Sequence, residues 1–134
     1  LKRQQTFIGN VIKCRAPENR DPLPDEIAAC RDYLERQIAA INPKVIVTLG
    51  RFSMAKYFPD ARISAIHGQA RVIGGRLVVA MFHPAAALRA PATMQQFLAD
   101  FQQLPELIAQ AKQRAAPEPP PPPDPEPPKQ LSLF

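Results

Sequence analysis

The sequence is short of cysteine, with two in 134 residues. That excludes a disulfide-rich secreted scaffold and leaves the pair as free thiols or metal ligands. It holds five glycines, far too few for a collagen repeat. No apolar run approaches the ~18 residues of a membrane span, and no basic amphipathic stretch stands out as a membrane-surface helix. Acidic charge is also scarce: 12 Asp and Glu against 17 Lys and Arg give a formal +5. What the chain has in excess is proline, 17 residues, nine of them between Pro117 and Pro128. Composition therefore divides the chain into a body, residues 1–115, with the apolar content of one domain, and a tail, 116–134, that cannot pack a core. The tail takes three acids and one lysine, so the body keeps 16 basic and nine acidic residues, a formal +7. A basic body fits an anionic partner, nucleic acid ahead of a membrane surface.

Periodicity organises the body. The run TFIGNVIK (6–13) has strand composition and is followed by a turn-rich loop, CRAPENRDPLP. In DEIAACRDYLERQIAAINP the apolar residues Ile27, Cys30, Leu34, Ile38 and Ile41 repeat at spacings of three and four, which makes one stripe of a helix. Asp25 and Glu26 occupy its first turn, where the helix dipole favours acids, and Pro43 stops it. VIVTLG (45–50) is a short continuous apolar run, as in a strand buried on both faces. Gly50 permits a sharp turn into a second helix, RFSMAKYF. Residues 70–82 read as two strands joined at Gly74-Gly75 and ended by His83-Pro84. After Pro91 a second stripe, Met94, Phe97, Leu98, Phe101 and Leu104, predicts a helix that Pro105 kinks or restarts.

Strands alternating with helices predict an α/β protein, a three-layer α/β/α sandwich around a mostly parallel sheet. Ligands of such sheets bind at the carboxyl ends of strands. That rule gathers Asn10, Cys14, Arg51 and His83 near one rim, without yet naming a reaction.

The stretch GNVIKCRAPENRDPLPDEIAACRDYLERQIAAINPKVIVTLGRF (9–52) resembles the family 4, iron–sulfur, uracil-DNA glycosylases, and MFHPAAALR (81–89) is similar to that family's second active-site motif. The likeness runs from about Thr6 to Phe101. Its most specific part is the K-C-R-x-P-x-N-R-x-P loop with a second cysteine fifteen intervening residues on; His-Pro alone is weak. The resemblance implies a DNA-repair enzyme that hydrolyses the N-glycosidic bond of uracil, with uracil-containing DNA as substrate. It also implies a glycosylase-like fold whose N-terminal part lies outside this sequence.

Such an enzyme extrudes the nucleotide and reads the flipped base on its Watson–Crick edge. The resemblance gives that reading to Asn10, whose carboxamide complements the adjacent O4 acceptor and N3–H donor of uracil. By position alone Asn10 reads first as a turn or bulge residue after Gly9. His83 matches the motif histidine that donates to uracil O2, stabilising the charge that develops on the leaving base. Without the motif it is a strand-end residue capping local backbone. Leu88 is the expected wedge into the space left by the flipped nucleotide, with Arg89 on a phosphate. Where the family carries two consecutive leucines, this chain has Ala87-Leu88. Lys13, Arg15, Arg20 and Arg51 are candidate phosphate contacts or plain surface charges. His67, where the family commonly carries Arg, is expected at the surface or at most on a phosphate. Cys14 and Cys30 resemble two of the four ligands of a [4Fe–4S] cluster; at this spacing alone they would read as plain buried thiols.

By the same resemblance, a longer N-terminal segment would carry the other two cluster cysteines, the motif that positions the attacking water, the aromatic on which uracil stacks, and a strand between TFIGNVIK and VIVTLG. The expectation is that these 134 residues alone neither assemble a cluster nor excise uracil. The tail divides into a Pro-rich linker, 116–129, and QLSLF, 130–134. At ~3.1 Å per residue an extended polyproline II linker reaches about 40 Å. QLSLF resembles the peptide that binds the bacterial sliding clamp, with Leu131, Leu133 and Phe134 as apolar anchors and Gln130 hydrogen-bonding; the bland reading is a stray apolar terminus. The expectations are thus a monomeric, cytoplasmic, nucleoid-associated repair enzyme tethered to the clamp, or, in another class, a non-catalytic DNA- and clamp-binding remnant of one.

Overall fold

The computed structural model describes residues 1–114; the linker and QLSLF, with Gln130, Leu131, Leu133 and Phe134, lie outside the described residues. After short 3-10 turns at Arg3–Gln5 and Pro17–Asn19 come α1 (Pro24–Ile41), β1 (Val45–Leu49), α2 (Arg51–Ala55), α3 (Ile63–Ile66), β2 (Ala70–Ile73), β3 (Arg76–Met81), α4 (Pro84–Arg89) and α5 (Pro91–Gln113). No described helix is long and apolar enough to cross a membrane.

The sheet has the order β1-β3-β2. β1 runs parallel to β3, pairing Val45 with Leu77 and Leu49 with Met81. β2 returns antiparallel through the Gly74-Gly75 turn, Ile73 facing Arg76, and both glycines have positive φ, as a two-residue hairpin turn requires. β3 is central, and Val78, Val79, Ala80 and Met81 are wholly buried. Because side chains alternate along a strand, one face packs Val78 and Ala80 with Met54, Phe58 and Ile66 of α2, α3 and their connection. The other packs Leu77, Val79 and Met81 against Leu104 and Ala111 of α5. Helices thus cover both faces, the expected three layers, around a sheet with one parallel and one antiparallel ladder. Each large side chain fully buried here contributes roughly 1.5–3 kcal/mol.

α1 begins at Pro24, whose missing N–H costs nothing in a first turn, and Glu26 accepts the Leu23 N–H at 2.8 Å. It ends as Asn42 turns left-handed, φ 45, with its N–H on the Ile38 carbonyl at 2.9 Å. One expectation is corrected. Residues 6–13 form no strand, because no described strand lies beside them to accept their backbone groups; the outer edge of β1 is likewise unpaired among the described residues. Of the two outcomes expected at Pro105, a restart is not seen: α5 runs through it as one helix to Gln113. Pro105 is exposed, so the Phe101 carbonyl that loses its partner can turn to water.

Candidate active site

The parallel pairing of β1 with β3 delivers the residues after both strands to one rim. The Gly50 N–H donates to the Met81 carbonyl at 2.9 Å. Gly50 has φ +85, and a Cβ there would fall 2.9 Å from the His83 Cβ. Conformation and space together demand glycine. His83 then caps α4: its Nδ1 accepts the Ala85 N–H at 3.1 Å. A neutral imidazole that accepts at one nitrogen carries its proton on the other. That makes exposed His83 a fixed ring with Nε2–H as its remaining donor.

α4 carries the next two candidates in a single turn. Ala87 is packed inside, 2% exposed, while Leu88 projects into solvent at 78%. The small residue sits where there is no room for a large one, and the single leucine is the one that reaches outward. Arg89 is exposed in the last turn.

The loop from Asn10 to Leu23 is held by its own basic residues. Lys13 Nζ donates to the Asn10 carbonyl at 2.8 Å and to Gln37 Oε1 of α1 at 2.6 Å. Arg15 Nε donates to Asn19 Oδ1 at 2.8 Å, next to Glu18; both Glu18 and Asn19 are left-handed, φ 55 and 54. Arg20 grips Glu26 with two bonds, 2.9 and 2.7 Å. That grip, and then the Leu23 N–H, hold the Glu26 carboxyl down at about 2, and the Arg20 guanidinium is raised in turn. Arg51 pairs with Asp21 and lies over the Phe52 ring, 4.6 Å from its centroid. Through Asp21–Arg51 the loop is fastened to the rim beside His83. Among the described residues no hydrogen bond joins Asn10 to His83, and Asn10 is exposed.

The cysteines differ. Cys14 is exposed and Cys30 buried, and Cys30 Sγ accepts the Lys13 N–H at 3.3 Å. The loop residue preceding Cys14 therefore rests on the second thiol. Among the described residues no three His, Cys, Asp or Glu side chains cluster as metal ligands. A cubane takes four thiolates, so the donors here fit half a ligand set and no more.

Sequence reasoning missed one cluster. His67, expected at the surface, has a side chain only 21% exposed, and its Nδ1 lies 2.9 Å from Oδ2 of Asp100, on α5. Asp100 is itself 6% exposed. A lone Asp beside the apolar stripe of its helix, between Phe97 and Leu104, and the unusual His before Gly68 were the available signals. Their separation of 33 residues hides the pairing.

The chain as a whole is similar to known proteins. The model of the Uracil DNA glycosylase superfamily matches residues 1–104. A type-4 uracil-DNA glycosylase of Archaeoglobus fulgidus is 41% identical over 80% of this chain and 58% of its own. Another, of Sulfurisphaera tokodaii, is 44% identical over 80% of this chain and 53% of its own. A DNA polymerase of Bacillus phage SP01 is 30% identical over 78% of this chain and 11% of its own. The chain spans about half the length of the curated glycosylases it matches.

Proposed function

The chain belongs to the uracil-DNA glycosylase superfamily, and from that premise we propose that the complete protein removes uracil from DNA by hydrolysing the N-glycosidic bond. The observation that carries the reading is His83: an exposed imidazole at a strand end, oriented by the Ala85 N–H and seated on Gly50. When the bond between the sugar C1′ and uracil N1 breaks, its electron pair leaves with the base, water adds its hydroxyl to C1′, and the proton that water loses balances the uracil anion, which is released as neutral uracil. Negative charge spreads onto uracil O2, where the Nε2–H of a neutral His83 donates. A donor placed beforehand favours the transition state over the ground state. Asn10 would present its amide N–H to uracil O4 and its carbonyl to N3–H, a pattern that cytosine reverses. Leu88 would fill the gap in the base stack, and Arg89, with Lys13, Arg15, Arg20 and Arg51, would meet phosphates.

Cys14 and Cys30 would hold two positions of a [4Fe–4S] cluster, and the Lys13 N–H on Cys30 is the kind of bond that stabilises a thiolate ligand. The cluster would fix the loop that carries Asn10; base excision itself involves no redox step. QLSLF at the end of a proline spacer supports a further tether, to the bacterial sliding clamp, and a monomer in the cytoplasm at the nucleoid completes the proposal. Replacing Leu133 and Phe134 by Ala should abolish clamp pull-down.

Uracil release from a labelled oligonucleotide tests the central claim. His83→Ala in the complete protein should lower the single-turnover rate by about 10²–10³-fold while duplex binding persists. No uracil release by the complete protein would overturn the excision reading, and parental-rate excision by His83→Ala would overturn the role given to His83.

A further inference from the structure

We propose that His67, held by Asp100, is a positioning residue for His83 and acts through Phe82; this rests on the reading of His83 given above. Burying a carboxylate is costly unless it is bonded, and Asp100 meets that need with one imidazole. Its Oδ2 faces His67 Nδ1, and its Oδ1 lies where a Cβ on Gly68 would come within 2.4 Å. Glycine at 68, with φ +72, is what lets the carboxylate in.

The same segment is stitched to the end of β3. The Gly68 N–H donates to the Ala80 carbonyl at 2.7 Å, and the Ala80 N–H donates to the Gln69 carbonyl at 3.1 Å. From there the His67 ring faces the Phe82 ring, centroids 4.6 Å apart and tilted by 32°. Phe82 is the one residue between β3 and His83. α3 and α5 pack against opposite faces of the sheet, so the His67–Asp100 bond clips the two helical layers together at the sheet's catalytic end.

Stability alone is a poor account of this arrangement, since a well-packed apolar pair commonly does as well as a buried polar one. What a directional bond adds is orientation. His83 needs it: the ring is exposed, its side chain has a single hydrogen bond among the described residues, to Ala85, and its direction is otherwise set by the peptide arriving from Phe82.

The test uses the complete protein. His67→Ala should lower kcat about tenfold while leaving KM for DNA within about twofold, as expected when a reacting group is misplaced and DNA binding is untouched. Asp100→Leu should behave like His67→Ala, whereas Asp100→Asn, whose amide oxygen still accepts from Nδ1–H, should retain most of the rate. In a His83→Ala background, His67→Ala should have no further effect. His67→Gln, which removes the ring facing Phe82, serves the same comparison if His67→Ala does not fold. A second readout is independent of excision: the imidazole proton–nitrogen signals of His83 should report one Nε2–H tautomer in the parent and broaden or shift in His67→Ala. If His83→Ala leaves excision intact, the role given to His83 in the functional reading fails while these signals still answer the positioning question. A loss confined to KM, additive losses in the double variant, or unchanged His83 signals would each overturn the proposal.

Discussion

The strand that delivers His83 and the loop that delivers Asn10 are held in opposite ways. β3 is wholly buried from Val78 to Met81 and bonded on both edges. From Asn10 to Leu23 no residue is buried, and the loop stays in place through Lys13–Gln37, Arg15–Asn19, Arg20–Glu26 and Arg51–Asp21. Exposed bonds and ion pairs of this kind each contribute little, because water and salt compete for both partners. A core strand opens only with the whole fold, whereas a loop of exposed bonds opens locally. On the proposed reading the difference would divide the tasks: the backbone that delivers His83 is anchored in the core, and the loop that carries Asn10 is free to adapt.

Four substitutions would break or sharpen that contrast. Met81→Ala, at the buried end of β3, should destabilise by about 2–5 kcal/mol, read from urea midpoints. Gly50→Ala puts a side chain at φ +85 against His83; it should cost about 1–3 kcal/mol and perturb the His83 imidazole signals. Gln37→Ala should cost no more than about 1 kcal/mol, yet speed hydrogen exchange of the Lys13 amide. If it costs as much as Met81→Ala, the loop belongs to the core and the contrast collapses. Glu26→Gln should have the smallest effect, and a pH-dependent one. Arg20 holds the folded carboxyl at about 2, below its ordinary 4.5. A depressed carboxyl stabilises the fold above its unfolded value and loses that contribution as pH falls through the folded one. The midpoint difference between parent and Glu26→Gln should therefore be flat at neutral pH and shrink between about 4.5 and about 2. A difference that grows on acidification would refute the pairing.

What was legible in the sequence follows the same division. The stripe of α1, the apolar run of β1 and the hairpin at Gly74-Gly75 are local patterns, and each forms where expected. TFIGNVIK has strand composition too, but a strand is a relation between two segments, and its partner is not among the described residues. Pro105 left two outcomes open because proline's cost depends on whether the orphaned carbonyl meets water. At the site, Gly50 and His83 could be joined at a strand-end rim from topology alone. The tautomer of His83 could not, since it depends on the Ala85 N–H. Nor could His67–Asp100, which joins two elements from opposite faces of the sheet.

The parallel register of β1 on β3 also has a consequence in time. The β2–β3 hairpin closes across a two-residue turn, an event of about 1–10 μs. Gly50 is 33 positions before His83, and the pair meet only when β1 docks from beyond α2 and α3. Non-local pairings of this kind are the slow ones. The seat of the imidazole is therefore a late product of folding, and a nascent chain has none until β3 has been synthesised.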